Sequence, residues 1–187
     1  MIPTKENIAT NASLLCGAGV INSFTEGTTE STLAAAMYDR TANATLVERR
    51  WSFTVFQKQA SQIAGTPNSK WSKAYTLPAN MLKIHRVDPE FIKYELYSDT
   101  RILTDFDGVL FIDGQFRVDE EDWPDYFIEY LEARLAQKWV IPLTEDESKA
   151  KMIENLVVSL GRKARTADAQ QRKGVGVTGF PITDARG

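Results

Sequence analysis

Histidine and cysteine are almost missing from this sequence: His85 and Cys16 are the only ones among 187 residues. One thiol cannot close an internal disulfide, and a zinc site built from Cys and His has too few donors. The chain therefore suits a reducing cytoplasm. No uninterrupted apolar run approaches the length of a membrane span, and no apolar signal core with a cleavage pattern follows the first residues. The expectation is a protein with no membrane anchor and no secretion signal. The net charge is −3, so bulk electrostatics do not point to a nucleic-acid binder. What the sequence does have is aromatic mass, with four Trp, six Tyr and nine Phe, which supplies large buried area in a core or at protein contacts.

Periodicity places helices at both ends of the chain. A first helix is expected over 4–15, with Thr4 as N-cap, Ile8, Ala12 and Leu15 at helical spacing, and Gly17 and Gly19 as its stop. Thr28 and Thr29 can cap a second helix reaching about Arg50, with Leu33, Met37, Arg40, Ala44, Val47 and Trp51 along one face. A third is expected from Pro124 to about Val140, with Phe127, Leu131 and Leu135 at spacings of four and Pro142 as its break. Thr144 and Glu147 form a capping-box pattern for a fourth, whose apolar face holds Ile153, Leu156, Val157, Leu160 and Ala164 before the helix turns polar and basic.

Between the helical ends the pattern is extended. Phe53, Val55 and Phe56 mark a short strand or an extended exit from the second helix. Residues 65–72 carry loop residues, and 81–87 alternates as a strand. Residues 91–118 read as a β-meander, in which Asp107-Gly108 and Asp113-Gly114 are the hairpin turns. The fold class expected is mainly α with an inserted β subdomain (α+β): a four-helix bundle, a small antiparallel meander and an extended C-terminal tail. The segments are 1–57 for the N-terminal helices, 58–119 for the β-rich insertion, 120–172 for the C-terminal helices and 173–187 for a tail.

No catalytic set emerges, and no cofactor or metal is expected. Gly174-Val175-Gly176-Val177-Thr178-Gly179 matches G-x-G-x-x-G, but that motif works only between a strand and a helix N-terminus, and here Phe180-Pro181 follows it. Its glycines and alternating valines suit a segment that orders on a partner, adding to a neighbouring strand. Asp105, Asp107 and Asp113 do not follow the calcium-loop pattern and read as turn residues. His85 has Asp88 three residues away but no nucleophile elbow, and Cys16 has no base. Asp119-Glu120-Glu121-Asp122 precedes a Pro-started helix, where acids favour the dipole. Trp51, Phe53, Phe56, Trp123 and Phe127 are expected to anchor the helices to the β subdomain.

A capped, Ala-rich helix ends in Arg49-Arg50-Trp51-Ser52-Phe53. After the β region, an acidic turn leads through Trp123-Pro124-Asp125-Tyr126-Phe127 into Tyr130-Leu131-Glu132-Ala133-Arg134-Leu135-Ala136. This order resembles the head-to-tail adaptor family of tailed bacteriophages, of the tail tubular protein A or gatekeeper type, over roughly residues 5 to 165. The resemblance implies a virion neck protein and not an enzyme, assembled in the host cytoplasm as a ring of commonly twelve copies beneath the portal. Its partners would be the portal protein, a tail nozzle or tail tube protein and further copies of itself, with DNA passing transiently through the lumen. The family's C-terminal segment generally reaches toward the portal. Carried over, the docking candidates are Arg162, Lys163, Arg165, Arg172, Lys173, Val175, Val177 and Phe180, and residues 91–118 would face the next tail component. Another neck or tail-completion component is the alternative within assembly proteins. A small hydrolase using His85 is the alternative outside them.

Overall fold

The computed structural model describes residues 3–98 and 100–171. The first helix, α1 (Lys5–Cys16), begins where the Thr4 hydroxyl accepts the Asn7 N–H and ends at Gly17, whose left-handed backbone (φ 78°) lets its N–H reach back to Leu14. The second, α2 (Thr29–Glu48), is capped by Thr28 on the Ser31 N–H. Its buried face is not the expected one. Ser31, Ala34, Tyr38, Thr41, Ala42, Thr45 and Leu46 are inside, while Arg40 and Ala44 are exposed. Two of the buried hydroxyls are satisfied by the helix itself, Thr45 donating to the Thr41 carbonyl at 2.8 Å and Ser31 to Thr28 at 3.0 Å. Small polar residues can therefore be buried here, and apolarity alone misplaces the stripe.

Helix α3 (Asp125–Thr144) runs through Pro142 and closes at Glu145, whose N–H returns to the Ile141 carbonyl. Pro142 lies in the last turn, where only one ladder bond is lost, so it fails to stop the helix at Val140. Thr144 belongs to that same turn, its hydroxyl on the Val140 carbonyl. The start of α4 (Glu147–Gln171) is instead capped by Asp146, whose carboxylate accepts the Lys149 N–H at 3.0 Å. Gly161 brings α4 against α3, for a Cβ there would stand 2.9 Å from the Tyr130 ring. Helix α3 is the centre of the helical layer, touching α1, α2 and α4. None of the described helices is long and apolar enough to cross a membrane.

The rest of the molecule overturns the expected small meander and, with it, the mainly α four-helix-bundle description. Among the described residues seven strands form two antiparallel sheets: β1 (Val55–Gln59), β2 (Ser61–Ile63), β3 (Lys73–Thr76), β4 (Met81–Asp88), β5 (Tyr94–Tyr97), β6 (Arg101–Thr104) and β7 (Phe111–Phe116). One sheet has the order β1-β7-β4 and the other β2-β3-β6-β5. The fold is sheet-rich α+β. The expectation failed because both Asp-Gly pairs read as hairpin turns do other work. Asp107-Gly108 lies on the crossing from β6 in one sheet to β7 in the other. Asp113-Gly114 is inside β7, paired with β1 and β4. Gly114 is needed for closeness, not for a turn: a Cβ would meet the Lys83 carbonyl oxygen at 2.7 Å. Ala60 is where the chain passes from β1 to β2 and so from one sheet to the other, a corner of the kind that joins packed sheets. Ala60, Tyr75, Val87, Ile102, Leu110 and Ile112, drawn from both sheets and their links, make a second hydrophobic core apart from the helical one.

Candidate functional site

The helical layer and the sheets meet around the end of α2. Trp51 is buried there, its indole N–H on the Thr45 carbonyl at 2.9 Å, and its ring lies 5.3 Å from Phe127 and 6.4 Å from Phe53. Trp123 meets Phe127 edge-on at 5.2 Å, held by its own N–H on Val118 and by the Arg117 guanidinium over its face. Four of the five expected anchors thus share one cluster. Phe56 does not join them; it sits on the sheet against Phe116, 42% exposed.

Two polar residues, neither singled out from the sequence, fasten this junction. Gln115, fully buried on β7, donates from its amide nitrogen to the carbonyls of Leu46 and Arg49 at 2.8 and 2.6 Å and to the Thr54 hydroxyl at 3.1 Å. A strand side chain thereby satisfies orphan carbonyls at the end of α2. Asp168, also fully buried, accepts the Ser52 N–H and hydroxyl, each at 2.7 Å, and the Tyr126 hydroxyl at 3.3 Å, with the Arg49 guanidinium 3.9 Å away. This ties the far end of α4 to the 3-10 turn at Ser52–Thr54 and to the start of α3. Extending the apolar face of α4 by four residues beyond Ala164 reaches Asp168; a carboxylate at a core position was the available signal. Gln115 had none, since strand alternation does not say which helix lies behind.

Beside Asp168 the surface opens into a cleft of about 550 Å³ lined by Arg49, Arg162, Arg165, Thr166, Ala169 and Gln170. Arg162 and Arg165 are exposed, and neither has an ion-pair partner among the described residues. Guanidinium forks in this setting can receive carboxylate or phosphate oxygens in pairs. Lys163 does not line the cleft; one residue along the helix turns it about 100° away. Arg172, Lys173, Val175, Val177 and Phe180 lie outside the described residues.

The second surface is the end of the β5-containing sheet. All of β5 is exposed and it forms a sheet edge, with one side of its backbone unpaired among the described residues. Next to it Trp71, Phe91 and Phe106 line a cleft of about 280 Å³, and Phe91 is 80% exposed. Apolar groups gathered at a free edge are what a protein contact uses.

The reactive residues are placed elsewhere. Cys16 is buried with its thiol on the Ala136 carbonyl at 3.4 Å, and burial pushes its pKa up to about 11. His85 is half-buried on β4; burial first, then the Arg50 and Lys83 cations, hold its pKa below the usual value. Among the described residues no three His, Cys, Asp or Glu side chains gather as a metal site. No family model matches the chain, and no curated protein matches it.

Proposed function

We propose that this protein is a non-catalytic virion neck component, a head-to-tail adaptor that forms a ring beneath the portal of a tailed phage and passes DNA through its lumen. The observation that carries the reading is the meeting of its two resemblance segments. Arg49 to Phe53 and Trp123 to Phe127 lie 70 or more residues apart in sequence, yet Trp51, Phe53, Trp123 and Phe127 interlock in one aromatic cluster. A motif split in sequence and joined in space is more specific than either half.

The exposed surfaces agree with a protein whose work is contact. The free β5 edge and the Trp71–Phe91–Phe106 cleft offer a face for the next tail component. Arg162, Lys163, Arg165 and the segment from Arg172 through Lys173, Val175, Val177 and Phe180 are the portal-facing candidates. The net charge of −3 suits a channel that releases DNA rather than gripping it.

The experiment is electron microscopy of the protein mixed with its cognate portal ring. Expected is one added ring on one end of the portal, matching its symmetry. Folded protein that adds no density removes the adaptor assignment in favour of another neck or tail-completion component.

A further inference from the structure

The arginine cleft has a complement on the same chain. Helix α3 is flanked at its start by two different grooves. One is the cleft between the end of α2 and the end of α4, lined by Arg49, Arg162 and Arg165. The other lies between α1 and α3 and is lined by Asn7, Asn11, Asp125 and Glu132. Asp125 on this groove and Glu129, whose charge acts on Glu132 in its lining, are exposed and have no ion pair among the described residues. The Tyr126 hydroxyl on Asp168 holds the start of α3 against the end of α4, so both charged surfaces belong to the same end of the molecule, on different flanks.

We propose that the Arg49–Arg162–Arg165 cleft receives the Asp125–Glu129 flank of a second copy of this chain. Within one copy the two surfaces are fixed by α3 and α4 and cannot meet. Between copies each subunit uses its cleft on one side and its acidic flank on the other. Such a contact is heterologous, and repetition of it closes a ring or runs on as a filament. The cleft geometry adds to the charge match. Buried Asp168, its carboxylate engaged by Ser52 and Tyr126, stands 3.9 Å from the Arg49 guanidinium on the cleft wall, while Arg162 and Arg165 have no ion-pair partner among the described residues. A polyanion such as DNA fits less well, because the cleft wall offers Arg49, Arg162 and Arg165 alone, a short track for a phosphate backbone. The inference rests on the ring-forming part of the adaptor reading, and it assigns Arg162 and Arg165 to the neighbouring subunit, leaving Lys163 to the portal side.

The test is sedimentation of the full chain over a concentration series reaching the millimolar range, at low and at high salt. Exposed ion pairs are weak and screened, so association is expected at low salt and its loss at high salt. The variants R162E/R165E and D125K/E129K change only exposed side chains and spare Arg49; circular dichroism checks that each is folded. Each alone is expected to stay monomeric. Their equimolar mixture is expected to associate again, because an acid-lined cleft then faces a lysine flank. A wild-type chain and a mixture that both remain monomeric overturn the contact, as does association that neither reversal weakens. A labelled oligonucleotide that binds the wild type and not R162E/R165E, without self-association, assigns the cleft to phosphate instead. Rings on the portal formed equally well by R162E/R165E overturn the contact and leave the adaptor reading standing. Restored association in the mixture with no ring on any portal supports the contact and removes the adaptor reading.

Discussion

A Cβ built on Gly114 stands 2.7 Å from the backbone oxygen of Lys83, closer than real contacts allow, and neither strand can yield without breaking its ladder. Gly114→Ala is therefore expected to cost about 2 kcal/mol by overpacking. Chemical denaturation measures this, and a loss below half that size would mean β4 and β7 separate easily. Glu132 is half-buried between α1 and α3. Burial raises its pKa, the Glu129 charge adds to this, and the hydrogen bond from the Asn11 amide at 2.7 Å opposes it. A folded pKa above the ordinary value of 4.5 means the favourable contribution is complete below that pH and is lost as pH rises through the folded value. Glu132→Gln keeps an acceptor for Asn11 and removes the charge. It is expected to be more stable than wild type at pH 7, with the gap narrowing as pH falls through the raised folded value and closed below about 4.5. A gap that widened on acidification would reverse the assignment. Cys16, with its pKa at about 11 and its thiol enclosed, is expected to resist iodoacetamide in the native protein and to react at once in denaturant. Fast native labelling would show that the α1–α3 contact opens.

Among the elements, α4 is the one whose sequence is least able to hold itself down. Its second half is basic and polar, which reads as a solvated or partner-ordered end. In the structure it is pinned to Gln171 by a short column of small or polar residues: Gly161 against Tyr130, Ala164 in the core, and Asp168 on Ser52 and Tyr126. Asp168→Ala leaves the part-buried Ser52 N–H and hydroxyl and the Tyr126 hydroxyl without their shared acceptor, and removes the carboxylate nearest to the half-buried Arg49. The expected loss is about 3 kcal/mol. It should be concentrated locally, so hydrogen exchange is expected to rise first over residues 162–171, with 147–157 still protected. Uniform acceleration along α4 would show that Asp168 does not act as the end fastener. Helix α2 makes the related point about faces: Thr41 and Thr45 occupy core positions because hydroxyls satisfied within a helix cost little to bury, which hydropathy periodicity does not register.

Over the whole molecule, two hydrophobic cores are coupled through the end of α2. Trp51, Trp123 and Trp139 report on the helical core, while Trp71 lies on the second sheet. Gln115 spans the boundary with three hydrogen bonds from one amide group. Wild-type unfolding is expected to be one transition, coincident by tryptophan fluorescence and far-ultraviolet circular dichroism. Gln115→Ala is expected to separate the two probes, since it strands buried carbonyls on the helical side only. Coincident transitions in that variant would mean the aromatic cluster alone couples the layers.

The sequence by itself determined the four helices, the first two caps, the extended character of the middle and the aromatic residues that meet at the junction. These follow from short-range periodicity and capping chemistry, which act within a few residues. It did not determine that the middle forms two sheets sharing a core. Strand alternation says that a segment is extended but not which strand it joins, and an Asp-Gly pair looks the same in a hairpin, at a sheet crossing or within a paired strand. The helix ends were misjudged at Pro142 and Thr144 because a proline in a last turn and a nearby competing cap cost too little to be read locally. The arginine cleft was legible only as a run of cations on α4. Its union with Arg49, 113 residues earlier, required α4 to fold back and bury Asp168, an outcome decided by long-range packing rather than by any local signal.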